Sequence, residues 1–302
     1  MDDLDFSATP ATPTPKPATP VAAKPAAAAA ASLYEPKIAL EFFRLAGTEE
    51  SFPAGRQIFA ENEKSTGFFS KGDRIYLLLE GEVTLTLKGK PLEMVLPGEI
   101  FGEMSAIADL PRSATATARK NCRVLALEER QFVQSLQQMP EFALMLISVM
   151  TQRLRRGISR LAEAKRPLGP PRVQKNALER KLLADLHQAL GSPAPTRAAA
   201  GQTVVAQGAV GACMFVVTAG RVAITIDDAP IEFVETGGVF GEIALVDRAG
   251  RAATATAETD SAWILVSRAD FIALLKTSPA FGIALLRAMS NRVQHIANLL
   301  KA

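Results

Sequence analysis

The sequence has 302 residues, 48% of them hydrophobic, and a formal net charge of +3 at pH 7. That length is typical of two domains, and so small a net charge gives no electrostatic reason to expect nucleic-acid binding. Cys122 and Cys213 form no CxxC pair, so we expect small buried hydrophobic residues in a reducing compartment. His187 and His295 are the only histidines. They lack the neighbours that a catalytic or metal site needs.

The chain begins with the acidic stretch MDDLDF, whereas a secretory signal begins with basic residues. Residues 7–32 are almost all Ala, Pro, Thr, Lys and Val. Such a segment buries too little apolar surface to offset its ordering entropy, so we expect a disordered tail over residues 1–32. The MDDLDF stretch is compatible with a docking site or a solubilising terminus. No apolar run reaches membrane-spanning length, which predicts a soluble cytoplasmic protein.

Alternating strand and helix patterns follow the tail. Residues 34–45 favour a short helix, and residues 75–89 combine two β-branched runs around a glycine, which predicts a hairpin. Residues 122–128 predict a further strand that leads into a helix start at 128–136. A long helix is expected over residues 141–165, where apolar residues recur at helical spacing.

The same series recurs in the second half. After the PLGPP sequence, residues 173–190 predict one amphipathic helix that ends at Gly191. A connector in solvent and a dimerising helix both fit this pattern. A second hairpin is expected over 214–228, a strand over 262–268 and a long helix over 279–300. Many strands followed by helices predict an α+β fold, with small barrels that carry helices on one side.

The second half repeats the first. Residues 101–118 read FGEMSAIADLPRSATATA, and residues 240–257 read FGEIALVDRAGRAATATA, 139 positions later. Upstream, Gly55 matches Gly201 at an offset of 146, so the first copy carries seven extra residues, within 62–72. The chain is therefore predicted to be a duplicated domain with one lengthened loop.

The repeated stretch has the features of an anion site. Gly102 and Gly241 allow close backbone approach, and the short helix expected after each glycine presents amides that lack an internal partner. Arg112 and Arg251 follow in a loop, where a guanidinium can bind two phosphate oxygens. A ligand that carries a phosphate would fit this arrangement.

An acidic residue also lies in each copy, at Glu103 and Glu242. A carboxylate beside a phosphate is unfavourable unless it accepts a hydrogen bond from the same ligand, for example from a sugar hydroxyl. The alternative is a Glu–Arg salt bridge that stabilises a loop. Two copies in register favour the ligand.

Both stretches resemble the phosphate-binding cassette of the cyclic nucleotide-binding domain family, which includes bacterial catabolite activator proteins and the regulatory subunits of cyclic-AMP-dependent protein kinase. The resemblance spans about residues 52–161 and 199–300. It rests on F-G-E, an aliphatic stretch, P-R or G-R, a small residue and A-T. It implies two β-barrel (jelly-roll type) domains with flanking helices, joined by a helical connector. The implied boundaries are a 1–32 tail, domains at 33–166 and 193–302, and a linker at 167–192.

The resemblance also implies residue roles. Glu103 and Glu242 would bind the ribose 2′-hydroxyl, and Arg112 and Arg251 would neutralise the cyclic phosphate. Backbone close to the ligand is expected at Gly102, Met104, Ser105, Ala114, Gly241, Ile243, Ala244 and Ala253.

The residue after the arginine is implied to tune the base. Ala252 indicates cyclic AMP (cAMP) in the second copy, whereas Ser113 leaves cAMP and cyclic GMP (cGMP) open in the first. The Thr-Ser pair by which bacterial receptors contact adenine has no clear counterpart, because the matching stretch of the first long helix reads Gly157 and Ile158.

Residues outside the cassettes bear on the downstream role of the chain. No helix-turn-helix follows residues 299–302, so we expect no DNA-binding domain on this chain, and the basic cluster 153–160 predicts a solvated helix face. Arg155, Arg156 and Gly157 follow the first copy, whereas the inhibitory stretch of kinase regulatory subunits precedes it, which argues against kinase inhibition. No nucleophile–base pair or triphosphate loop indicates an enzyme.

These observations predict a non-enzymatic cyclic nucleotide receptor that signals to an unidentified effector protein through helix rearrangement. Two alternative functions fit the sequence as well, a dimerising scaffold with one or both pockets empty and a kinase regulatory subunit. A homodimer also fits the sequence.

Overall fold

The structure is a computed structural model that describes residues 34–63, 74–108, 111–164, 169–174, 176–246 and 250–299. The predicted tail and most of the lengthened loop at 62–72 lie outside these ranges. Both copies of the sequence repeat belong to one unit, Ser32–Ala302. We call them the first repeat and the second repeat.

Within its described residues, the first repeat contains eight strands and four helices. In chain order they are α1 (Pro36–Ala46), β1 (Thr48–Phe52), β2 (Gln57–Phe59), β3 (Arg74–Glu80), β4 (Val83–Leu87), β5 (Lys90–Val95), β6 (Ile100–Phe101), α2 (Glu103–Ala108), β7 (Thr115–Ala118), β8 (Cys122–Glu128), α3 (Glu129–Gln138) and α4 (Pro140–Ala164).

The strands of the first repeat form two antiparallel sheets, in the orders β1-β8-β3-β6 and β2-β7-β4-β5. Tyr76 and Leu78 from one sheet share an apolar cluster with Val83 and Val95 from the other. The core of the strand region therefore lies between the two sheets. The cassette helix α2 follows directly on edge strand β6, which fixes where it begins.

The second repeat follows the same plan, with one additional strand. Its elements are β9 (Arg172–Gln174), α5 (Arg180–Ala189), β10 (Thr196–Ala198), β11 (Thr203–Val205), β12 (Cys213–Ala219), β13 (Arg221–Ile226), β14 (Ala229–Glu235), β15 (Val239–Phe240), a 3-10 turn (Glu242–Leu245), β16 (Thr254–Ala257), β17 (Ser261–Ser267), α6 (Arg268–Thr277) and α7 (Pro279–Leu299). The sheet orders are β10-β17-β12-β15 and β11-β16-β13-β14-β9. Strands and helices are mixed as the sequence predicted.

The predicted hairpins at 75–89 and 214–228 are wrong. Both segments contain two strands, but β3 and β4 lie in different sheets, and so do β12 and β13. The turn at Gly81 takes the chain from one sheet to the other. Gly81 has φ +95°, and a Cβ there would lie 2.5 Å from the carbonyl oxygen of Asn121, so the turn is packed against the neighbouring loop. The hairpins are instead β4–β5 and β13–β14.

The single connector helix predicted over 173–190 is also wrong. Residues Arg172–Gln174 form β9, which pairs in parallel with β14, and the helix begins only at Arg180. Asn176 has φ +49°, a left-handed conformation that a helix does not continue through. The first part of the connector is therefore a strand of the second repeat's sheet.

Two long helices bring the repeats together. Gly157 of α4 packs on Ile296 of α7, and a Cβ at Gly157 would lie 2.5 Å from Ile296 Cγ2. These two positions are themselves 139 residues apart, so equivalent parts of the helices meet. At the other end of α4, Phe142 stacks on Phe42 of α1 with ring centroids 3.6 Å apart.

Within the described ranges, no single helix is long and apolar enough to cross a membrane. Helices α6 and α7 meet that test of length and composition only when taken together, and they are bent by 118° relative to each other.

Candidate functional site

Each cassette begins with a left-handed glycine. Gly102 precedes α2 with φ +77°, and Gly241 precedes the 3-10 turn with φ +74°. A Cβ at Gly241 would lie 2.8 Å from Nη1 of Arg251. Glycine is therefore required both for the backbone conformation and for the close approach of the arginine.

Arg251 is held by backbone oxygens of its own repeat. Its Nη1 donates to the carbonyl oxygens of Gly241, at 2.9 Å, and Cys213, at 3.0 Å. Its guanidinium carbon lies 5.4 Å from the centroid of the Phe215 ring. These contacts fix the positive charge at the start of the 3-10 turn, where backbone amides are also available.

Arg112 occupies the equivalent position in the first repeat. Its Nη1 donates to the carbonyl oxygen of Gly102, at 2.9 Å, and to Oγ of Ser105, at 2.8 Å, while Nη2 donates to the carbonyl oxygen of Arg74, at 3.1 Å. The guanidinium carbon lies 4.3 Å from the centroid of the Phe59 ring. The hydroxyl contact has no equivalent in the second repeat, because Ala244 takes the place of Ser105.

Each cassette glutamate forms an ion pair with an arginine of a long helix. Glu103 pairs with Arg153 of α4, and Glu242 pairs with Arg292 of α7. The negative charge of Glu103 raises the pKa of the Arg153 guanidinium above its ordinary value. Both glutamates therefore pair with an arginine outside the cassette. The predicted alternative was a salt bridge with the arginine of the same cassette.

Arg292 has the more buried environment of the two arginines. Its Nε donates to Glu232, at 2.7 Å, and its Nη2 to the carbonyl oxygen of Val239, at 2.9 Å. Burial opposes the charge on Arg292, but the carboxylates of Glu232 and Glu242 outweigh it and raise the guanidinium pKa above its ordinary value. The helix α7 is thus tied to the second cassette by a charged network.

Local sequence patterns do not indicate either arginine, and the solvated basic face predicted for residues 153–160 is wrong for Arg153. Arg153 binds a buried carboxylate, and Arg155 donates from Nη2 to the carbonyl oxygen of Gly250, at 2.9 Å. The repeat carried a signal that could have found the pair, since Arg153 and Arg292 obey the same 139-residue offset as the cassettes.

A cavity opens beside the second cassette. All seven predicted site residues of this repeat line it: Gly241, Glu242, Ile243, Ala244, Arg251, Ala252 and Ala253. Other walls come from apolar residues of the sheet, such as Val205 and Ile224. Arg155 and Ile158, which belong to α4 of the first repeat, complete the lining.

One carboxylate oxygen of Glu242 is buried and lacks a hydrogen-bond partner among the described residues. The residue is only 1% exposed, and its Oε1 is taken by Arg292. Its Oε2 is buried and has no hydrogen-bond partner within the described part of the chain. A buried carboxylate oxygen without a donor is unfavourable, and a hydroxyl group from a bound molecule would satisfy it.

The first cassette has the same order of groups. Glu103, Ser105, Arg112 and Ala114 are buried, Met104 and Gly102 are half-buried, and Ser113 is exposed. Each repeat therefore places a carboxylate and a guanidinium at one helix or turn start. Such a pair can bind a molecule that offers an anion and a hydroxyl donor close together.

Comparison with known proteins defines the family. The model of the cyclic nucleotide-binding domain matches residues 49–139 and 195–278, more than half of the chain. The chain therefore belongs to the cyclic nucleotide-binding domain family, as the resemblance predicted. Its two cassettes fall within the two matched segments.

Two of the curated relatives are a transcriptional regulator and a kinase regulatory subunit. The chain is 29% identical over 133 residues to a CRP-like cAMP-activated global transcriptional regulator of Mycobacterium tuberculosis, covering 42% of this chain and 56% of that protein. It is 25% identical over 214 residues to a cAMP-dependent protein kinase regulatory subunit of Yarrowia lipolytica, covering 70% of this chain and 49% of that protein. The chain thus spans about half the length of these relatives.

Among solved structures, a cAMP-bound PfPKA-R (141-441) matches 89% of this chain and 87% of that chain, with 22% identity and a TM-score of 0.33.

Proposed function

We propose that this protein is a non-enzymatic cyclic nucleotide receptor, that its second repeat binds cAMP, and that binding is passed to an effector protein through movement of the long helices. The family membership supports a cyclic nucleotide as the ligand.

The main support for this proposal is the cavity beside the second cassette. Arg251 and Glu242 line the same space, and Oε2 of Glu242 is buried without a hydrogen-bond partner in the described part of the chain. A cyclic nucleotide offers a phosphate for the first group and a ribose hydroxyl for the second. Its purine would then lie against the apolar walls formed by Val205 and Ile224.

The residue after each arginine supports a difference in base preference. Ala252 lines the second cavity and offers no hydroxyl to the base, which favours adenine. Ser113 is exposed and carries a hydroxyl, so the first repeat is proposed to accept cAMP or cGMP.

The ion pairs supply a route from ligand to helix. Glu242 would share its carboxylate between a ribose hydroxyl and Arg292 of α7, and Glu103 would do the same with Arg153 of α4. A ligand that changes the position or charge distribution of the glutamate therefore changes how firmly each helix is held. The effector would recognise the new helix arrangement.

The domain limits belong to the same proposal. We place domains at residues 33–166 and 193–302, preceded by the 1–32 tail and separated by a linker at 167–192, whose strand β9 extends the sheet of the second domain. The two facing sheets of each repeat support the jelly-roll type of barrel.

Thermal unfolding with and without nucleotide tests the receptor against a scaffold. A ligand that binds only the folded chain, at a free concentration of about 100 times its dissociation constant, stabilises the chain by about 2.7 kcal/mol. We expect cAMP to raise the melting temperature, and 5′-AMP, which lacks the cyclic phosphate, to raise it much less. A melting temperature that does not change when cAMP or cGMP is added would instead support a scaffold with empty pockets.

The effector is tested by affinity capture. The immobilised full chain is exposed to lysate with and without cAMP, and an Arg251→Ala chain is the matched control. We expect a partner whose recovery changes with cAMP on the unaltered chain only. Recovery that is the same in all four conditions would contradict signalling through the second repeat.

A further inference from the structure

The strand β5 forms the edge of its sheet in the first repeat. Within the described ranges the sheet order is β2-β7-β4-β5, and no strand pairs with the outer side of β5. The main-chain N–H and C=O groups of such an edge can bind another extended segment. Pro91 does not prevent this, because the equivalent strand β14 has Pro230 at the same place and still pairs with β9 through Glu232–Val234.

The second repeat provides a template for what this edge can bind. Its edge strand β14 pairs in parallel with β9, which consists of Arg172, Val173 and Gln174. Arg172 binds the carboxylate of Glu232, at 3.1 Å. Oε1 of Gln174 accepts a hydrogen bond from the backbone N–H of Val239, at 3.0 Å. A short strand with an arginine and, two residues later, a side-chain acceptor is therefore complementary to this edge.

The first repeat carries the matching groups on β5 and β6. At the 139-residue offset, Glu93 takes the place of Glu232, and Ile100 takes the place of Val239. Glu93 is exposed, whereas Glu232 is buried. Three large apolar side chains next to Glu93 are also exposed, and they are Leu92, Met94 and Leu96. The edge of β5 thus offers a carboxylate and an apolar surface to an incoming segment.

Two arginines balance two carboxylates in the second repeat. Glu232 pairs with both Arg172 and Arg292, and Glu242 pairs with Arg292. All four side chains are largely buried, with exposed fractions of 22% or less. The group carries no net charge, which makes its burial acceptable. One of its two positive charges comes from β9.

The first repeat has one positive charge for the two equivalent carboxylates. Glu103 pairs with Arg153, and the negative charges of Glu103 and Glu93 both raise the pKa of the Arg153 guanidinium. Within the described ranges, no strand equivalent to β9 brings a second arginine to this edge. The excess negative charge therefore favours a basic segment along β5.

The residues of the chain that match β9 by position lack its chemistry. Pro36 lies against Gly98, where an added Cβ would be 3.3 Å away. Leu178 lies against the equivalent glycine, Gly237. Counted back from these two contacts, residues 30–32 correspond to β9. They read Ala-Ala-Ser and include neither a basic residue nor a large apolar one. A segment of another protein is therefore the better match for this edge.

We propose that the β5 edge of the first repeat is a docking site for an extended basic segment of a partner protein. The segment adds to the sheet as a strand parallel to β5, with an arginine on Glu93 and, two residues later, a hydrogen-bond acceptor on the N–H of Ile100. Apolar side chains of the partner cover Leu92 and Met94. None of these contacts requires a nucleotide, so the docking site goes beyond the proposed function.

A peptide with the sequence of residues 170–177, PPRVQKNA, is the probe, because it carries the three residues of β9. Fluorescence anisotropy of the labelled peptide with the full chain measures its affinity. We expect saturable binding that Glu93→Arg weakens by about tenfold or more, because repulsion replaces a charged hydrogen bond. Glu41→Arg is the matched control, since Glu41 is an exposed acidic residue of α1. Circular dichroism checks that both variants fold.

Changes in the peptide test the arginine and the strand geometry. Alanine in place of the peptide's arginine should weaken binding by about tenfold, whereas alanine in place of its lysine should change the affinity by less than about twofold. Consecutive N–H groups of a strand point to opposite sides. Of two peptides N-methylated at the valine or at the glutamine, one should therefore bind and the other should not.

The possible outcomes identify the occupant of the edge. No saturable binding up to about 1 mM peptide, or equal affinity for Glu93→Arg and Glu41→Arg, overturns the proposal. Binding that appears only after residues 1–31 are removed overturns it in favour of the chain's own N-terminal segment. A full chain that binds no peptide and forms a dimer that Glu93→Arg dissociates overturns it in favour of a second copy. Each result leaves the proposed function standing, because cAMP binding is measured separately.

Discussion

Arg292 in the second repeat is held between the carboxylates of Glu232 and Glu242, and its side chain is 10% exposed. Arg153, its equivalent in the first repeat, pairs with Glu103, and its side chain is 29% exposed. The ion pair that joins the cassette to its long helix is thus more buried in the second repeat than in the first.

The strand beside the arginine explains much of this difference. Glu232 and Ile231 of β14 are buried, whereas their equivalents Glu93 and Leu92 of β5 are exposed, Leu92 by 58%. The sequences of the two strands are closely similar, PLEMV and PIEFV. Burial here is therefore decided by what packs on the strand and not by the strand itself.

The strand β9 packs on β14. Arg172 binds Glu232 at 3.1 Å, and Oε1 of Gln174 accepts a hydrogen bond from the backbone N–H of Val239, at 3.0 Å. Along the described part of the chain, the edge of β5 pairs with no such strand. The connector between the repeats is therefore also a structural part of the second site.

The largest difference is expected from the two arginines. Arg292→Ala leaves buried carboxylates without their countercharge and should lower the free energy of unfolding by about 3–5 kcal/mol. Arg153→Ala should cost clearly less, because its site is more exposed to solvent. Urea denaturation of the two variants measures both values. Equal losses of unfolding free energy would show that the two ion pairs stabilise the fold to the same extent.

The apolar neighbours should differ in the same direction. Ile231→Ala removes a buried side chain and should cost about 2–5 kcal/mol of unfolding free energy. Leu92→Ala, at the equivalent exposed position, should stay within about 0.5 kcal/mol of the unaltered chain. Denaturation midpoints test the pair, and a large cost at Leu92 would mean that β5 is covered in solution.

The contribution of β9 is tested at Gln174, which is 2% exposed. Gln174→Ala leaves the backbone N–H of Val239 buried without its acceptor and should cost about 1–3 kcal/mol. Val173→Ala on the same strand is the control, because Val173 is 42% exposed. If the two variants denature alike, the buried hydrogen bond of β9 does not stabilise the second site.

The smallest effect concerns pH. Burial lowers the pKa of His295 below its ordinary value of 6.5, although the carbonyl of Ile231 and the charge of Glu232 oppose the shift. The unfolded chain therefore binds a proton more readily, and stability from this group is lost as pH falls below about 6.5. His295→Gln should flatten the fall in unfolding free energy between about pH 7.5 and 5.5, and His187→Gln is the control. An unchanged slope would contradict the shift.

Local patterns in the sequence were sufficient for many elements. The strand predicted at 122–128 is β8, and the long helices predicted at 141–165 and 279–300 correspond to α4 and α7. These segments have a clear period of hydrophobic residues, and tertiary contacts agree with it. Arg112 contacts Gly102, and Arg251 contacts Gly241, within the same repeated stretch, whereas their role toward a ligand stays a prediction.

Pairing and long-range contacts were beyond local patterns. Two β-branched runs around Gly81 look the same whether the strands pair with each other or with different sheets. Residues 172–174 become a strand only because β14 offers an edge. The Glu–Arg ion pairs join residues 50 positions apart, and only the repeat offset could have indicated them.

Calorimetric titration of cAMP into the full chain and into Arg251→Ala tests whether the cavity beside the second cassette binds a cyclic nucleotide. We expect the variant, still folded by circular dichroism, to lose roughly thirtyfold to a few thousandfold in affinity at the second site, because truncating one partner of a buried charge pair costs about 2–5 kcal/mol. Equal affinity in the two chains would contradict the assignment of this cavity as a cyclic nucleotide site.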